Sequence, residues 1–381
     1  MTCLRYLPCW AALLALWGCA ALPPIPPPEY ATLPLPHCHA GMDDAGYWLD
    51  RMNEPERVLL DRNQIKALNR RIESQGLVLD VFSDRLWDYG PWSVVRPEAY
   101  PDGEREEGEA SEPPAWEDDA PQAHLAAYTL YTYLKHETER IKSRTRYDAE
   151  GNSIPSWVFD RLDWNLNLGG IRESNRIRYG LTRRRTDFRY YPTARLMTSK
   201  PLDVNFDVLQ VSSLRGGEPL ALLHVSRDRD WVFGISAYFR GWVRRRDVVE
   251  DCSSDGLRAF LEPERFLVVT GRRVKAVWRP GESAAAEVLT LGRRCPLRGR
   301  RRGFYRIALP VGSQRGKVVW RSGYVREDAE VERGHPPMTS RHWLETAFQR
   351  IHEPYAWGGK GGYRDCSQFI QDVAAVYGIR L

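Results

Sequence analysis

The chain has 381 residues, which is enough for two to four domains of roughly 100–200 residues each. Hydrophobic residues make up 43% of it and charged residues 28%, a globular composition that excludes a wholly disordered protein. The longest apolar run, residues 7–17, is shorter than the roughly 20 residues that span a bilayer, which excludes a polytopic membrane protein. The net charge of +5 rests on 48 arginines against 7 lysines, and so mild an excess favours a compositional bias over nucleic-acid binding.

Residues 1–18 have the organisation of an export signal, in which a short positive start precedes an apolar run. The stretch 16–19 resembles a bacterial lipobox that ends in Cys19, and a plain secretory signal is the alternative. The proline-rich residues 19–36 predict an extended tether. We therefore expect an exported protein that is lipid-anchored through Cys19 in the bacterial cell envelope, and Ala20 favours the outer membrane, facing the periplasm.

Four cysteines remain once the signal and the lipid-bearing cysteine are set aside: Cys38, Cys252, Cys295 and Cys366. Export permits disulfides, and a bridge between Cys252 and Cys295 is one candidate, but four cysteines allow three pairings and the sequence favours none. No cysteine or histidine spacing suggests a metal site.

Residues 37–177 are predicted to be mainly helical. A helix start is expected at 53–56, where an asparagine, a proline and two acids stand together, and Gly76 ends the apolar run that follows. A second helix is expected over 123–141. Between the two helices, residues 97–122 hold ten Asp and Glu against one Arg; a solvated loop is favoured there over a docking surface for a basic partner.

Short strand-like runs, about ten residues apart, follow and are typical of small β-barrels. In a first domain, 178–249, these runs are 208–211, 219–225, 231–233 and 241–243. A second domain, 250–335, repeats the pattern at 266–269, 274–278, 287–289, 304–307, 318–320 and 323–325. The repeat predicts tandem domains, and the basic cluster at 293–302 is expected in an exposed turn of the second.

The last domain, residues 336–381, holds the strongest candidate for a reactive site. A helix capped by Ser340 is followed by a glycine-rich stretch and by a second helix that begins at Cys366 and ends at Gly378. At a helix N-terminus, the dipole and the free N–H groups favour the thiolate and can receive an oxyanion. The alternative is a buried structural cysteine, but Cys366 lies off the apolar stripe of its helix, which favours a nucleophile.

Two motifs in this domain, Tyr355-Ala-Trp-Gly-Gly and Asp365-Cys-Ser-Gln-Phe, together resemble the NlpC family of papain-like cysteine peptidases, which cleave the stem peptides of peptidoglycan. The first β domain resembles the bacterial SH3-like domains of such peptidases over 183–193, 203–210, 217–219 and 223–228 and at Trp231, and residues 61–69 resemble their N-terminal stabilising segment. The resemblance implies a multidomain α+β fold: a helical N-terminal segment, two small SH3-like β-barrels, and the N-terminal helical part of a papain-like peptidase domain.

The resemblance also implies a γ-D-glutamyl-L-diamino acid endopeptidase, a monomer that hydrolyses the D-Glu-γ to diamino-acid bond through a thioester and needs no metal or cofactor. Cys366 would be the nucleophile. Asp365 and Ser367 would bind the free amine of the terminal L-Ala, because a carboxylate and a hydroxyl suit an ammonium's donors. Tyr355 and Trp357 would line the pocket, and an SH3-like domain would wall off the cleft.

Two features depart from the family pattern. Gln368 stands where glycine is usual, which places a side chain near the cleft. All eight histidines precede Cys366, with His342 and His352 nearest, whereas the family's catalytic base follows the cysteine. The sequence therefore predicts an incomplete, inactive peptidase domain. The second hypothesis is a non-catalytic peptidoglycan-binding lipoprotein with a decayed peptidase remnant, whereas a nucleic-acid binder conflicts with export and lacks a stacking motif.

Overall fold

Residues 39, 41–83, 122–171 and 177–381 are described by the structure, a computed structural model of the chain. The chain divides into two units, Met1–Met42 and Asp43–Leu381, and every element below lies in the second unit. The export signal, Cys19, the tether, Cys38 and nearly all of the acidic segment lie outside the described residues, so those predictions stay predictions. None of the helices within the described ranges is long and apolar enough to cross a membrane.

Helices and antiparallel strands occupy separate parts of the chain, which confirms the predicted α+β class. The helices are α1 Ala45–Leu49, α2 Arg62–Ser74, α3 Gln122–Lys142, α4 Ser156–Asn165, α5 Ser254–Leu261, α6 Ser340–Phe348 and α7 Cys366–Val376. The strands are β1 Val58–Leu60, β2 Arg178–Thr182, β3 Thr186–Arg189, β4 Gln210–Leu214, β5 Pro219–Val225, β6 Trp231–Ile235, β7 Arg240–Arg244, β8 Val248–Cys252, β9 Phe266–Val269, β10 Arg273–Ala276, β11 Glu287–Thr290, β12 Arg294–Arg301, β13 Phe304–Gln314, β14 Lys317–Arg326, β15 Val331–Arg333 and β16 Met338–Thr339.

The first predicted helix begins later than its sequence signal. The helix start expected at 53–56 is wrong: Glu54 has a positive φ of 54°, and the strand β1 follows, paired with β16. The helix α2 begins only after Asp61, because Asp61 and Gln64 form a capping box that satisfies the free N–H groups of the first turn. Gly76, at a φ of 70°, lies just past the end of α2, and α3 confirms the second predicted helix.

Seven antiparallel strands form the first β unit, residues 178–252, in the order β4-β3-β7-β6-β5-β2-β8. The four predicted runs overlap β4, β5, β6 and β7, which confirms the strand prediction for this region. The core of the unit includes Trp242 and Tyr191, both fully buried. Leu134 of α3 and Leu162 of α4 belong to the same cluster, so the helical segment and the first β unit share one core.

The second β unit, residues 266–333, differs from the first in topology. Its main sheet has the order β14-β13-β12-β9-β15, and β10 pairs separately with β11. The two runs predicted within 318–325 form one strand, β14, paired along its length with β13. The turn predicted at 293–302 is wrong, because most of it forms β12, although Arg298, Arg300, Arg301 and Arg302 are exposed as predicted. Arg293, by contrast, is only 3% exposed and pairs with Glu287. Burial of a charged side chain needs such a partner.

The C-terminal segment packs α7 against α6 and the second β unit. Thr339, and not the predicted Ser340, caps α6 through its side-chain oxygen. On α7, Val373 and Val376 are fully buried as predicted, whereas Ile370 is 42% exposed. The ring of Tyr377 stacks on Trp343 of α6 with 5.5 Å between centroids. This packing holds the first turn of α7 in a fixed place.

Candidate active site

Cys366 is the first residue of α7 and is exposed, with a free thiol. The helix begins there because the Asp365 side chain caps it, accepting the backbone N–H of Gln368 at 2.8 Å. Four consecutive positions of the preceding 3-10 segment, Trp357–Gly362, have non-helical backbone angles, and three of them are glycines at positive φ. The sulfur therefore stands at the positive end of a helix behind a glycine-rich loop.

Asp365 joins the loop, the helix and Ser367. Its Oδ2 accepts the backbone N–H of Gly358 at 3.0 Å, and its Oδ1 accepts the Ser367 hydroxyl at 3.2 Å. Counting the cap to Gln368, three of about four lone-pair sites of the carboxylate are occupied. One site on Asp365 and the acceptor capacity of the exposed Ser367 hydroxyl remain for a ligand, so the structure brings these two predicted residues together beside Cys366.

Tyr355 and Trp357 lie on the same side of the loop. Tyr355, which is 40% exposed, forms a parallel bridge with Arg364, two residues before Cys366. Burial, followed by the negative charges of Asp365 and of a Cys366 thiolate, raises the pKa of Tyr355, which places its hydroxyl in the field of both groups. Trp357 is half-buried, and its indole N–H donates to the carbonyl of Gln210 at 3.2 Å.

Phe206 of the first β unit packs beside these two aromatic side chains, a contact that sequence reasoning missed. Its ring lies 5.6 Å from that of Tyr355 and 6.4 Å from that of Trp357, centroid to centroid. Phe206 is 43% exposed, and the backbone N–H of Trp357 donates to the carbonyl of the adjacent Asn205 at 3.0 Å. Phe206 falls within 203–210, one of the stretches that resemble an SH3-like domain. That resemblance was the only sequence signal that pointed to this residue.

The neighbouring Asp207 is a fully buried carboxylate that anchors the loop. Its Oδ2 lies 2.6 Å from Nη1 of Arg189 and also contacts Nζ of Lys360. Burial opposes the charged form of Asp207, yet Arg189 and Lys360 together lower its pKa. Two cations on one buried carboxylate hold the Trp357–Gly362 segment against the first β unit.

The Gln368 side chain, expected near the cleft, lies against the glycine-rich loop and is buried there. It is 4% exposed, and its Oε1 accepts from Arg185 at 2.8 Å and from the Ser213 hydroxyl at 3.0 Å. A Cβ on Gly359 would come within 1.6 Å of that oxygen, so glycine is required where the loop crosses the side chain. Gln368 thus attaches the Cys366 helix to β4.

A second polar contact holds α7 from one turn further on. Asp372 is 1% exposed and pairs with Nη1 of Arg215 at 2.8 Å, with Arg364, and with Nη1 of Arg185 at 3.6 Å. Burial would raise the pKa of Asp372, but the three guanidinium groups together lower it. Charges from the first β unit, the loop and α7 therefore meet at one carboxylate, which fixes the three parts relative to one another.

Histidines in the C-terminal segment are held by partners other than Cys366. Nδ1 of His335 contacts the carbonyl of Val376 at 2.8 Å, and burial lowers the pKa of His335 to about 4. Nδ1 of His342 contacts the carbonyl of Pro337 at 2.9 Å, and His352 lies 3.4 Å from the Asp43 carboxylate. Within the described ranges, Cys366 has no histidine as a hydrogen-bond partner.

The other described cysteines are structural. Cys252 in β8 and Cys295 in β12 are both buried and free, so the candidate bridge between them is not formed. Burial raises the pKa of the Cys252 thiol to about 11, which keeps it protonated. No group of three or more His, Cys, Asp or Glu side chains in the described part of the chain is arranged to hold a metal ion.

Comparisons with known proteins agree with this geometry at the level of fold. A family model described as SH3 domain (SH3b1 type) matches residues 198–244, inside the first β unit. A search of curated proteins finds no match. Among solved structures, an NlpC/P60 endopeptidase from Photobacterium damselae subsp. piscicida is similar at 17% identity with a TM-score of 0.59; the similarity covers 89% of this chain and 67% of that one.

An NlpC/P60 family protein from Bacillus cereus is similar at 18% identity over 45% of this chain and 57% of that one, with a TM-score of 0.36, which is too low to establish a shared fold. The chain therefore spans about two thirds of the length of the first structure and just over half of the second. The protein is a multidomain α+β chain with an SH3-like domain and the fold of an NlpC/P60 endopeptidase, which confirms the resemblance seen in the sequence.

Proposed function

We propose that the chain belongs to a peptidoglycan hydrolase and binds stem peptides in the cleft formed by Tyr355, Trp357 and Phe206, with Cys366 as the nucleophile. The observation that carries the proposal is the exposed Cys366 thiol between Asp365 and Ser367, whose side chains are joined at 3.2 Å. An exposed thiol at a helix N-terminus and a polar pair beside it are two of the parts that acyl transfer to a cysteine requires, and a general base is the third.

The substrate class follows from the polar pair. Asp365 supplies a negative charge with one free lone-pair site, and Ser367 supplies a hydroxyl that can accept a further hydrogen bond. An ammonium group satisfies both, so the cleft suits a peptide with a free terminal amine. We assign this amine to the L-Ala of a stem peptide, and the scissile bond to the D-Glu-γ to diamino-acid linkage.

In the reaction, the Cys366 sulfur attacks the γ-carbonyl of D-Glu, and the carbonyl π electrons move to oxygen. The backbone N–H groups of Cys366 and Ser367 at the start of α7 would donate to that oxyanion, whereas the N–H of Gln368 is already bound to Asp365. Collapse of the intermediate forms a thioester and expels the diamino acid's amine, which takes up a proton; water then hydrolyses the thioester. A base and acid for these proton transfers must come from outside the described contacts of Cys366.

The absence of a histidine partner of Cys366 in the described ranges favours a second candidate, a wall-binding lipoprotein that holds stem peptides without cleaving them. Release of L-Ala-D-Glu from L-Ala-γ-D-Glu-diaminopimelate separates the two functions. Turnover that Cys366→Ala abolishes would support the hydrolase, with His342 and His352 as the first bases to mutate. Binding of the tripeptide without turnover would support the wall-binding function.

For location, we propose that an N-terminal lipid on Cys19 holds the protein in the cell envelope, at the outer membrane facing the periplasm. The support is the lipobox-like stretch 16–19 and the proline-rich tether that follows it. Together with a free-amine cleft, this location would bring a monomeric chain to the stem peptides of the wall.

A further inference from the structure

An arginine-lined cavity of about 470 Å³ lies where the two β units meet the loop before Cys366. Eight arginines line it against three carboxylates. Arg185 and Arg246 come from the first β unit, Arg273 from the second, Arg350 from the turn after α6, and Arg364 from the loop. Among the described residues that line it, none belongs to the trio Cys366, Tyr355 and Trp357.

Several buried polar atoms on the residues that line this cavity have no hydrogen-bond partner. They are Nε of Arg185, Nε of Arg350, Nη2 of Arg364, Oε2 of Glu353 and Oγ1 of Thr290. The Arg350 and Arg364 side chains are 4% and 5% exposed. A buried donor without an acceptor is costly, so the three arginine nitrogens are suited to oxygen acceptors of a water or a ligand, whereas Oε2 of Glu353 is suited to a donor.

The charge of the cavity points the same way. Burial lowers the pKa of Arg185 to about 10, and burial followed by the charge of Arg364 lowers the pKa of Arg350. The same oxygen of Glu353, Oε1, already pairs with Nη1 of Arg350 at 2.8 Å and with Nε of Arg272 at 2.6 Å. Asp372 and Asp207 pair with Arg185, Arg364 and Arg189 from behind the cavity wall. Among the described residues, the exposed Arg246 and Arg273 have no carboxylate partner, so they leave the cavity with positive charge that a bound anion would neutralise.

We propose that this cavity is a second binding site, separate from the Cys366 cleft, for a peptide that carries carboxylates. Its volume lies within the range of about 300–1,000 Å³ that is usual for ligand sites, and a single phosphate would leave most of it empty. The unpaired Glu353 oxygen requires a ligand N–H beside the carboxylates, which a peptide provides and a simple anion does not. The identification of that peptide as a peptidoglycan stem peptide rests on the proposed function.

Calorimetric titration of the Cys366→Ala chain tests the proposal without turnover. The probe is N-acetyl-L-Ala-γ-D-Glu-diaminopimelate, whose blocked amine excludes it from the Asp365–Ser367 pair. We expect saturable binding that weakens with salt and is lost when the carboxylates are amidated. No saturable binding at about 1 mM, or equal binding of the amidated peptide, would overturn the proposal. Tighter binding of inorganic phosphate than of the peptide would also overturn it.

Exposed arginines give variants that keep the fold. Arg246→Gln and Arg273→Gln, both in exposed lining positions, should each weaken binding about three- to fivefold. Arg301→Gln is the matched control, because it removes the same charge from an exposed position of β12 outside the cavity. An equal loss in Arg301→Gln would mean non-specific attraction and would refute the site. The N-acetyl peptide could fail to bind while the free-amine peptide still reacts at Cys366 of the wild-type chain. That result would refute the second site and leave the proposed function standing.

Discussion

Gln368 and Ser213, 155 residues apart, exchange two hydrogen bonds between the Cys366 helix and the first β unit. The Ser213 hydroxyl donates to Oε1 of Gln368 at 3.0 Å, and Nε2 of Gln368 donates to the Ser213 carbonyl at 2.7 Å. Both residues are buried, with Gln368 4% and Ser213 6% exposed. The position of Cys366 is therefore set by a residue of the SH3-like domain as well as by its own loop.

Replacing Gln368 by alanine should lower the free energy of unfolding by about 1–3 kcal/mol, because the Ser213 carbonyl and Arg185 lose a buried partner. Urea denaturation measures the change. Gln371→Ala, at a half-buried position of the same helix, is the control and should change stability by less than about 0.5 kcal/mol. Equal effects of the two substitutions would show that the contact with Ser213 contributes little.

Phe206→Ala should weaken binding of a free-amine stem peptide about two- to tenfold while changing stability little. The ring lies beside Tyr355 and Trp357, so its loss removes apolar area that a peptide bound there would cover, at roughly 25 cal/mol per Å². Because Phe206 is 43% exposed, its loss leaves no core cavity. Val204→Ala, 41% exposed on the same loop, should bind normally. Unchanged affinity in the Phe206 variant, measured by calorimetry, would remove Phe206 from the cleft.

Asp372 should contribute to stability at neutral pH and lose that contribution in acid. Burial acts to raise the pKa of Asp372, but Arg364, Arg185 and Arg215 lower it below the unfolded value of about 3.9. Such a carboxyl stabilises the fold above its unfolded pKa, and the contribution disappears as the pH falls through the lower, folded pKa. We expect Asp372→Asn to cost about 3–5 kcal/mol at pH 7, because three buried guanidinium groups lose their counter-ion.

Urea denaturation of wild type and Asp372→Asn as a function of pH checks this account. The difference between the two proteins should be constant above about pH 5 and should shrink as the solution becomes more acid. A difference that stays constant through the acid range would mean that Asp372 does not titrate with a lowered pKa.

Cys19→Ala should release the protein from the membrane fraction if the lipobox-like stretch is processed. Labelled palmitate should enter the wild-type chain and not the variant, since the proposed anchor would carry its acyl chains on that cysteine. Cys38→Ala, which alters a cysteine outside the motif, is the matched control and should label as the wild type does. Equal labelling of wild type and Cys19→Ala would exclude the anchor.

Local patterns in the sequence were sufficient to predict four of the seven strands of the first β unit and the helix at Cys366. Continuous apolar runs bounded by turn residues locate β5 and β6, and the capping residue Asp365 locates the start of α7. The start of α2 was misplaced because a proline-containing signal at 53–56 competes with the capping box at Asp61, and only pairing of β1 with β16 decides between them.

Contacts between distant parts of the chain could not be predicted. The sequence suggests an exposed charge at Arg293, yet the side chain is buried and pairs with Glu287. Nothing in the sequence distinguishes Phe206 from other apolar residues, yet its ring lies against that of Tyr355. The site depends on the contact of Asp372 with Arg215, 157 residues away in sequence, which no local periodicity encodes. The candidate residues were thus identified from motifs, and the wall that encloses them required the fold.

Covalent labelling of Cys366 by a substrate-like electrophile tests the central claim most directly, because the labelling reaction has no leaving amine that must take up a proton. The reagent is L-Ala-D-Glu with a chloromethyl ketone at the γ-carbon, compared with its N-acetylated form, and intact mass with peptide mapping reports the site. Among Cys252, Cys295 and Cys366, we predict that only Cys366 reacts, since the other two are buried. The free-amine reagent should react about tenfold faster or more, and Asp365→Asn, which keeps the cap, should abolish that preference. Equal rates for the two reagents in the wild-type chain would contradict a free-amine stem-peptide cleft at Cys366.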